Sequence, residues 1–168
     1  MNWQELDINI DSLWIIGPRG KGGKHSNVYH GNFVPQIPNQ MIRRYTKEGD
    51  VVLEMFMGSG TTLFECEALN RNYIGFDIND GIINFVHSKM IGAENISYKL
   101  HNCDICDRER VNTLICSDLK EINKTKVDHI IIHPPYLDIV KFTDKKEDLS
   151  KIDNLNLFIS KFTDAVHN

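Results

Sequence analysis

The chain has 168 residues, 41% of them hydrophobic, which supplies apolar material for one core and too little length for two ordinary domains. Its formal net charge of -4 argues against a surface covered in positive charge, although a nucleic-acid enzyme needs only a local basic strip. The N-terminus lacks a positive n-region and an apolar h-region, and no later run approaches the roughly 18 apolar residues of a membrane span, so we expect a soluble cytoplasmic protein without membrane contact.

Residues 17–32, with the sequence GPRGKGGKHSNVYHGN, hold five glycines among basic residues. This composition does not suit a regular element and indicates a mobile basic loop. Two interpretations stay open: a solvated surface turn, or a loop that contacts phosphate or the active site, since glycine beside lysine or arginine allows close backbone approach to an anion. We assign residues 1–34 to an N-terminal segment with this loop and residues 35–168 to the folded domain.

From Pro35 the chain alternates between helical and strand patterns. We predict helices from Pro35 to the Lys47 region and over residues 61–69, 81–91, 108–119 and 152–166, and strands over residues 51–56, 73–77, 96–100 and 127–132. The isoleucines of the last strand suggest burial on both faces. Strand, glycine turn, helix and strand open a doubly wound α/β domain, so we predict a Rossmann-like fold with a parallel sheet.

Four cysteines lie in a chain without an export signal, so a disulfide framework is not expected. Cys103 and Cys106 have a spacing that occurs in zinc sites, with His101 or Cys116 as further candidates. Structural zinc normally requires two ligand pairs, and the second pair is missing. We therefore predict buried or incidental thiols and no bound metal.

The turn Gly58-Ser59-Gly60 follows the first predicted strand and precedes a helix. Glycine lets the backbone pass close to a ligand, and the helix amides then face either a pyrophosphate or the carboxylate of a methionine-derived cofactor. Ser59, Thr61 and Thr62 add hydroxyl donors. Asp77 ends the second strand about 20 residues beyond the first glycine, where an acid can accept from ribose hydroxyls. At this point a nicotinamide dinucleotide and S-adenosylmethionine both fit.

The longer stretch GDVVLEMFMGSGTTLFECEALNRNYIGFDIN resembles the cofactor motif of the N6-adenine/N4-cytosine amino-methyltransferases of DNA. Glu54 stands for the usual aspartate and Met55 for the usual proline. The direct matches are Phe56, Gly58, Ser59, Gly60, Thr61, Thr62, Arg71, Ile74, Gly75 and Asp77. The resemblance implies a class I methyltransferase domain with S-adenosylmethionine as cofactor.

Two further motifs carry the same resemblance, which covers about residues 12–142. Upstream, Trp14 and the stretch HGNFVPQIPNQMIRRYT resemble the family segment that introduces a helix beside the cofactor, with Phe33 and Pro35 as the matching residues. Downstream, His133-Pro134-Pro135-Tyr136 resembles the catalytic tetrapeptide Asp/Asn/Ser-Pro-Pro-Tyr at the end of the fourth strand. Asp104, at the end of the third strand, matches an acid near the cofactor adenine.

The family chemistry implied by the tetrapeptide is methyl transfer to the exocyclic amine of adenine (N6) or cytosine (N4) in double-stranded DNA, in a restriction-modification context. In the family, the first side chain and the carbonyl of the following proline accept the amine hydrogens, and the tyrosine stacks on a base flipped out of the duplex. His133 departs from this pattern, because only neutral imidazole can accept a hydrogen. We therefore expect activity to fall below about pH 6.5.

Other functions stay open at this stage. The histidine could mark a degenerate site in a cofactor-binding or DNA-binding subunit, and an RNA amino-methyltransferase could carry a similar tetrapeptide. A family domain has seven strands, whereas four are predicted here, and the order 3-2-1-4 would leave Ile130 to Ile132 on an open edge. We expect a truncated or split enzyme, completed by a second polypeptide or by self-association that also supplies target recognition.

Overall fold

The structure is a computed structural model that describes residues 8–26 and 31–167. Within these ranges a four-stranded sheet is combined with helices on both faces. The elements are α1 Gln36–Tyr45, β1 Val51–Glu54, α2 Thr61–Ala68, β2 Asn72–Asp77, α3 Asp80–Lys89, β3 Tyr98–Asn102, α4 Arg108–Glu121, β4 His129–Ile131, a 3-10 helix at Leu149–Lys151, and α5 Leu155–Val166. None of these helices is long and apolar enough to cross a membrane.

The sheet has the predicted Rossmann-like topology. Its strand order is β3-β2-β1-β4 and every pair is parallel, which confirms the predicted α/β fold class and the order 3-2-1-4. In the central register, Leu53 of β1 lies opposite Ile74 of β2 and Ile130 of β4. The carboxyl ends of the strands therefore meet at one edge of the sheet, where open α/β sheets bind their ligands.

The core consists of two apolar layers, one on each face of the sheet. Side chains alternate along a strand, so Val52 packs with Ile42 of α1, Leu63 of α2 and Val86 of α3. On the opposite face, a second cluster combines β1 and β2 with α4 and α5, and its members include Val51, Leu53, Phe76, Val111 and Ala165. Both central strands are thus buried on both faces, as their continuous hydrophobic sequences require.

Capping residues determine where several helices begin. Asn79, Asp107 and Asn154 precede α3, α4 and α5, and each side chain accepts a hydrogen bond from an amide in the first turn. The last helix consequently begins at Leu155, three residues later than predicted, and the 3-10 helix lies before it. Strand β3 is also displaced, because it covers residues 98–102 where residues 96–100 were predicted.

Strand β4 is not covered on both faces, so that prediction was wrong. Ile130 is 50% exposed and Ile132 is 36% exposed. Among the described residues, β4 pairs with β1 on one side and has no neighbour on the other. A run of β-branched residues favours a strand but does not determine whether other elements cover both of its faces.

In the described part of the basic loop, several basic side chains contact the folded domain. Lys24 Nζ lies 2.5 Å from Glu67 Oε1, and His25 Nε2 lies 2.6 Å from Glu65 Oε1, so both side chains contact α2. Arg19 donates to the carbonyl of Phe33 at 2.9 Å. Residues 27–30 of the loop, including His30 of the predicted upstream motif, lie outside the described residues.

Candidate active site

One cavity at the carboxyl edge of the sheet brings the predicted motifs together. It is bounded by the segment before α1, the turn between β1 and α2, the ends of β2 and β3, and the tetrapeptide after β4. The predicted site residues that line it are Phe33, Glu54, Phe56, Gly58, Thr61, Asp77, Asp104, His133, Pro134, Pro135 and Tyr136. Motifs about 75 residues apart in sequence therefore face the same space, because parallel strands end at the same edge.

Four predicted site residues lie behind this lining. Pro35 is buried at the start of α1, and Gly60 is packed beneath the turn. The hydroxyl of Ser59 accepts from Asn32 Nδ2 at 2.6 Å, while the hydroxyl of Thr62 donates to Glu54 Oε1 at 2.6 Å. Three hydroxyls were predicted to face the ligand. Thr61 lines the cavity, whereas Ser59 and Thr62 do not and instead make hydrogen bonds to neighbouring side chains.

The glycine turn has the conformation that a close backbone approach requires. Gly60 has a φ of 79°, and a Cβ added there would lie 3.0 Å from Val86 Cγ1 and 3.3 Å from Phe64 Cζ. The Phe64 amide donates to the Gly60 carbonyl at 3.0 Å, so the amides from Thr61 to Leu63 precede the hydrogen-bonded ladder of α2. The partial positive charge of this helix start is thus directed at the cavity.

Asp77 connects the end of β2 to the glycine turn. Its Oδ2 accepts from the Gly58 amide at 2.8 Å and its Oδ1 accepts from the Asn79 amide at 2.8 Å. Burial raises the pKa of Asp77 to about 6, and these two backbone hydrogen bonds oppose the rise. Asp104 lies on the wall after β3, where its carboxylate accepts from the Cys106 amide at 2.9 Å.

Glu54 is the most deeply buried acid of the site, with 1% of its surface exposed. Thr62 Oγ1 lies 2.6 Å from Oε1 and the Tyr73 hydroxyl lies 2.5 Å from Oε2. Burial raises the pKa of Glu54 to about 8, and the negative charge of Asp77 adds to the rise, whereas the bonds from Thr62 and Tyr73 oppose it. The carboxyl group is therefore mostly neutral at pH 7.

Tyr73 was missed in the sequence, although a signal for it was present. Tyr73 and Gly75 are two residues apart on β2 and share a face of the strand. A Cβ at Gly75 would lie 2.5 Å from Tyr73 Cε1, so the missing side chain leaves room for the tyrosine ring to reach Glu54. The Ile74-Gly75 part of the family motif thus has a packing reason in this chain.

The tetrapeptide carries a contact that the sequence did not predict. His133 Nε2 lies 2.6 Å from the Tyr136 hydroxyl, so this hydroxyl occupies one imidazole nitrogen. The Phe33 ring packs edge-on against His133 with centroids 4.9 Å apart. Burial lowers the pKa of His133 below its usual value of 6.5, which favours the neutral form. Tyr136 itself is 61% exposed at the mouth of the cavity.

Several residues that line or support the cavity were not among the predicted site residues. Asn32 joins the N-terminal segment to the glycine turn through Ser59, and Phe142, Asp148 and Leu149 form a wall beyond the tetrapeptide. No local pattern identifies these residues, because their roles depend on where the chain returns in space. Among the described residues, no group of three or more histidine, cysteine or acidic side chains is arranged so that it could hold a metal ion.

Comparisons with known proteins agree with the motifs. The chain is 43% identical over 51 residues to the Type II methyltransferase M.MjaII of Methanocaldococcus jannaschii, and the match covers 30% of this chain and 10% of that protein. The Type II methyltransferase M.HpaI of Haemophilus parainfluenzae is 40% identical over 68 residues, which cover 38% of this chain and 22% of that protein. The chain thus spans less than a quarter of the length of either relative.

Among solved structures, TrmN from Thermus thermophilus is similar with a TM-score of 0.47 and 19% identity, covering 64% of this chain and 30% of that one. The model of the DNA methylase family of N6 and N4 methyltransferases matches residues 2–88, which is slightly more than half of the chain. Because of this match, we conclude that the chain belongs to the DNA methylase family.

Proposed function

We propose that this chain forms the cofactor-binding and catalytic part of a DNA methyltransferase that modifies the exocyclic amine of adenine (N6) or cytosine (N4). The observation that carries the proposal is the shared cavity of the glycine turn and the tetrapeptide. Methyl transfer requires the donor and the acceptor nitrogen to be held in line at close range, so the two binding elements must face each other. Restriction-modification is the biological setting that we propose with it.

The residues present fit an adenosine-containing methyl donor. Gly60 holds the left-handed turn beneath the site, and the start of α2 directs amides at the position where a carboxylate can bind. Asp77, at the end of β2, is placed to accept from ribose hydroxyls, and Asp104 lies on the adjoining wall. When bound, S-adenosylmethionine supplies an electrophilic methyl group on its sulfonium.

The tetrapeptide is assigned to the target base. The neutral His133 imidazole accepts one amine hydrogen and the Pro134 carbonyl accepts the other, which returns lone-pair density to the nitrogen. Tyr136, exposed at the mouth of the cavity, stacks on a base flipped out of double-stranded DNA. Its hydroxyl must release His133 Nε2 for the amine to bind there, so base entry exchanges one hydrogen bond for another.

The experiment that tests this function combines ligand binding with methyl transfer. Calorimetric titration should show that S-adenosylmethionine binds and that a nicotinamide dinucleotide does not. Transfer from tritiated methyl donor to mixed-sequence duplex DNA, with single-stranded RNA as a second acceptor, then tests the substrate. His133→Ala should abolish transfer while His87→Ala, a change of an exposed histidine on α3, should not. Failure of the donor to bind would refute the proposal.

A second candidate is a non-catalytic subunit that supports a competent partner. The specific observation in its favour is that histidine replaces the usual acid, amide or serine while the Tyr136 hydroxyl occupies its imidazole. In that case His133→Ala would leave the methylation activity of the assembly unchanged. Loss of activity in His133→Ala, with donor affinity retained, would decide for the enzyme.

The open edge of the sheet is proposed as the place where the catalytic domain is completed. Strand β4 has no neighbour on one side among the described residues, and the side chains of Ile130, of Ile132 directly after it and of Ile139 are exposed nearby. Unpaired strand edges with apolar side chains favour pairing with another strand. We assign this edge to a strand from a second polypeptide that also reads the DNA sequence, with self-association of this chain as the alternative.

A further inference from the structure

Residues 142–151, which follow the tetrapeptide, fold back over the cavity, and we call them the cover segment. Phe142, Asp148 and Leu149 line the cavity together with the predicted motifs. The Phe142 ring reaches the N-terminal segment, since a Cβ at Gly31 would lie 3.8 Å from Phe142 Cζ. The cover segment therefore spans the carboxyl edge of the sheet from β4 back to β2 and β3.

The cover segment is internally ordered around one buried acid. Asp148 is 3% exposed, and its Oδ2 accepts from the amide and the hydroxyl of Thr143, both at 2.8 Å. Its Oδ1 accepts from the amide of Ser150 at 2.9 Å and from the hydroxyl of Ser150 at 2.6 Å. Four hydrogen bonds on one carboxylate fix the shape of the segment.

Lys145 connects this segment to the ends of β2 and β3, and Asn79 Nδ2 also donates to the Phe142 carbonyl at 3.4 Å. Lys145 Nζ lies 2.7 Å from the Ile78 carbonyl, 3.0 Å from Asn102 Oδ1 and 2.6 Å from Asp80 Oδ2. An ammonium group has three donors, and here they reach the end of β2, the end of β3 and the start of α3. The cation also forms an ion pair with Asp80 at the start of α3.

We propose that Lys145 is a positioning residue that latches the cover segment over the adenosine half of the cofactor site. The proposal rests on the proposed function, because it takes Asp77 as the ribose acceptor. The latch attaches at Ile78, the residue after Asp77, and at Asn102, two residues before Asp104. It thereby sets the distance between the acids that receive the nucleoside and the apolar wall of Phe142 and Leu149.

The first test examines the latch in the free protein. Lys145→Met removes the ammonium and keeps the length of the side chain, and Lys146→Met changes an exposed neighbour as the matched control. We expect hydrogen exchange of the Thr143 and Ser150 amides to become about tenfold faster in Lys145→Met, because this variant loses all three polar contacts of the partly exposed ammonium. Lys145→Arg should restore most of the protection, because a guanidinium can donate to the same acceptors.

The second test examines the ligand. Calorimetry should give dissociation constants for S-adenosylhomocysteine and for adenosine that are about tenfold higher in Lys145→Met than in the wild type. The factor should be similar for the two ligands, because the latch acts on the nucleoside half that they share. Lys146→Met should bind both as the wild type does. If Lys145→Met does not fold, Asp80→Asn, which weakens one exposed contact, should show the same changes to a smaller extent.

The outcomes separate the two proposals. If the wild-type protein binds no S-adenosyl compound, the proposed function fails, whereas the exchange experiment still reports on the latch. If the wild type binds and Lys145→Met keeps wild-type exchange and affinity, the latch is refuted. Faster exchange without any loss of adenosine affinity would refute the role of the latch in the cofactor site.

Discussion

His133 is the residue at which the chemistry of this chain differs most from the tetrapeptide of its family. The imidazole can accept an amine hydrogen only when it is neutral, and burial lowers its pKa below 6.5. The imidazole form that can accept a hydrogen therefore exists above this lowered pKa and is lost as the pH falls through it. The expectation from the unperturbed value, a loss below about pH 6.5, thus moves to more acidic pH.

A pH-rate profile tests this assignment. Single-turnover methyl transfer, measured between about pH 5 and 8, should be constant at the upper end and fall at the acidic end, with the midpoint below the usual histidine pKa. The variant His133→Asp replaces the imidazole with a carboxyl group, whose usual pKa is about 3.9, so the position of the acidic limb should change. A wild-type rate that is flat across the range would contradict the role of His133 as acceptor.

Glu54 gives a second prediction at the residue scale, on stability. Its pKa is about 8 in the folded protein and 4.5 for the unperturbed group, so the folded state holds a proton that the unfolded chain has released. Stability associated with this group is present below pH 4.5 and is lost as the pH rises toward 8, by at most about 1.4 kcal/mol per pH unit. Glu54→Gln should flatten this dependence in urea unfolding.

The variant Glu54→Ala is the control for Glu54→Gln in these unfolding measurements. Glu54→Ala removes the partner of the Thr62 and Tyr73 hydroxyls, which are buried. Leaving such groups unpaired, together with the cavity, should cost about 3 kcal/mol at every pH. If Glu54→Gln destabilised the protein as much as Glu54→Ala, a neutral carboxyl group at this position would be excluded.

Among the elements, the β1–α2 turn depends most strictly on glycine. Gly60→Ala places a Cβ in a left-handed residue and within 3.0 Å of Val86 Cγ1. Gly92→Ala is the matched control, because Gly92 has a φ of +83° with no atom within 4 Å of the added Cβ. Both changes strain the backbone by about 1 kcal/mol, and Gly60→Ala should cost a further 1–3 kcal/mol or so from overpacking.

Urea unfolding of the two variants separates these effects. The free energy of unfolding should fall more for Gly60→Ala than for Gly92→Ala, and the difference measures the contact with α3. Equal losses would show that Val86 moves aside freely, and the turn would then be held by backbone conformation alone. Reduced donor binding is expected for Gly60→Ala alone, since Gly92 follows α3 outside the cavity.

For the molecule as a whole, the proposal that the open edge of the sheet is an association surface gives a further prediction. Ile130→Lys places a charge on the exposed face of β4 and should weaken self-association or the binding of a completing polypeptide about tenfold or more. Ile91→Lys, at a residue that is 83% exposed after α3 and distant from β4 in the fold, is the control. Sedimentation velocity over a range of concentrations measures both. A wild-type chain that stays monomeric and binds no other polypeptide would contradict the proposal.

The sequence by itself determined the alternation of strands and helices, the parallel sheet with its order 3-2-1-4, and the glycine turn. These features depend on local periodicity, turn residues and family motifs, all of which can be identified from neighbouring residues in the sequence. The family motifs also identified residues that line the cavity, from Phe33 to Tyr136.

Tertiary structure decided the rest, because it depends on contacts between distant segments. The single-sided pairing of β4, the Tyr73–Glu54 bond, the occupation of His133 by Tyr136 and the return of Lys145 to the ends of β2 and β3 have no local signature. Burial, and with it the raised pKa of Glu54, likewise follows from how the layers pack. A sequence pattern specifies which elements form, whereas the three-dimensional path of the chain specifies which of their side chains meet.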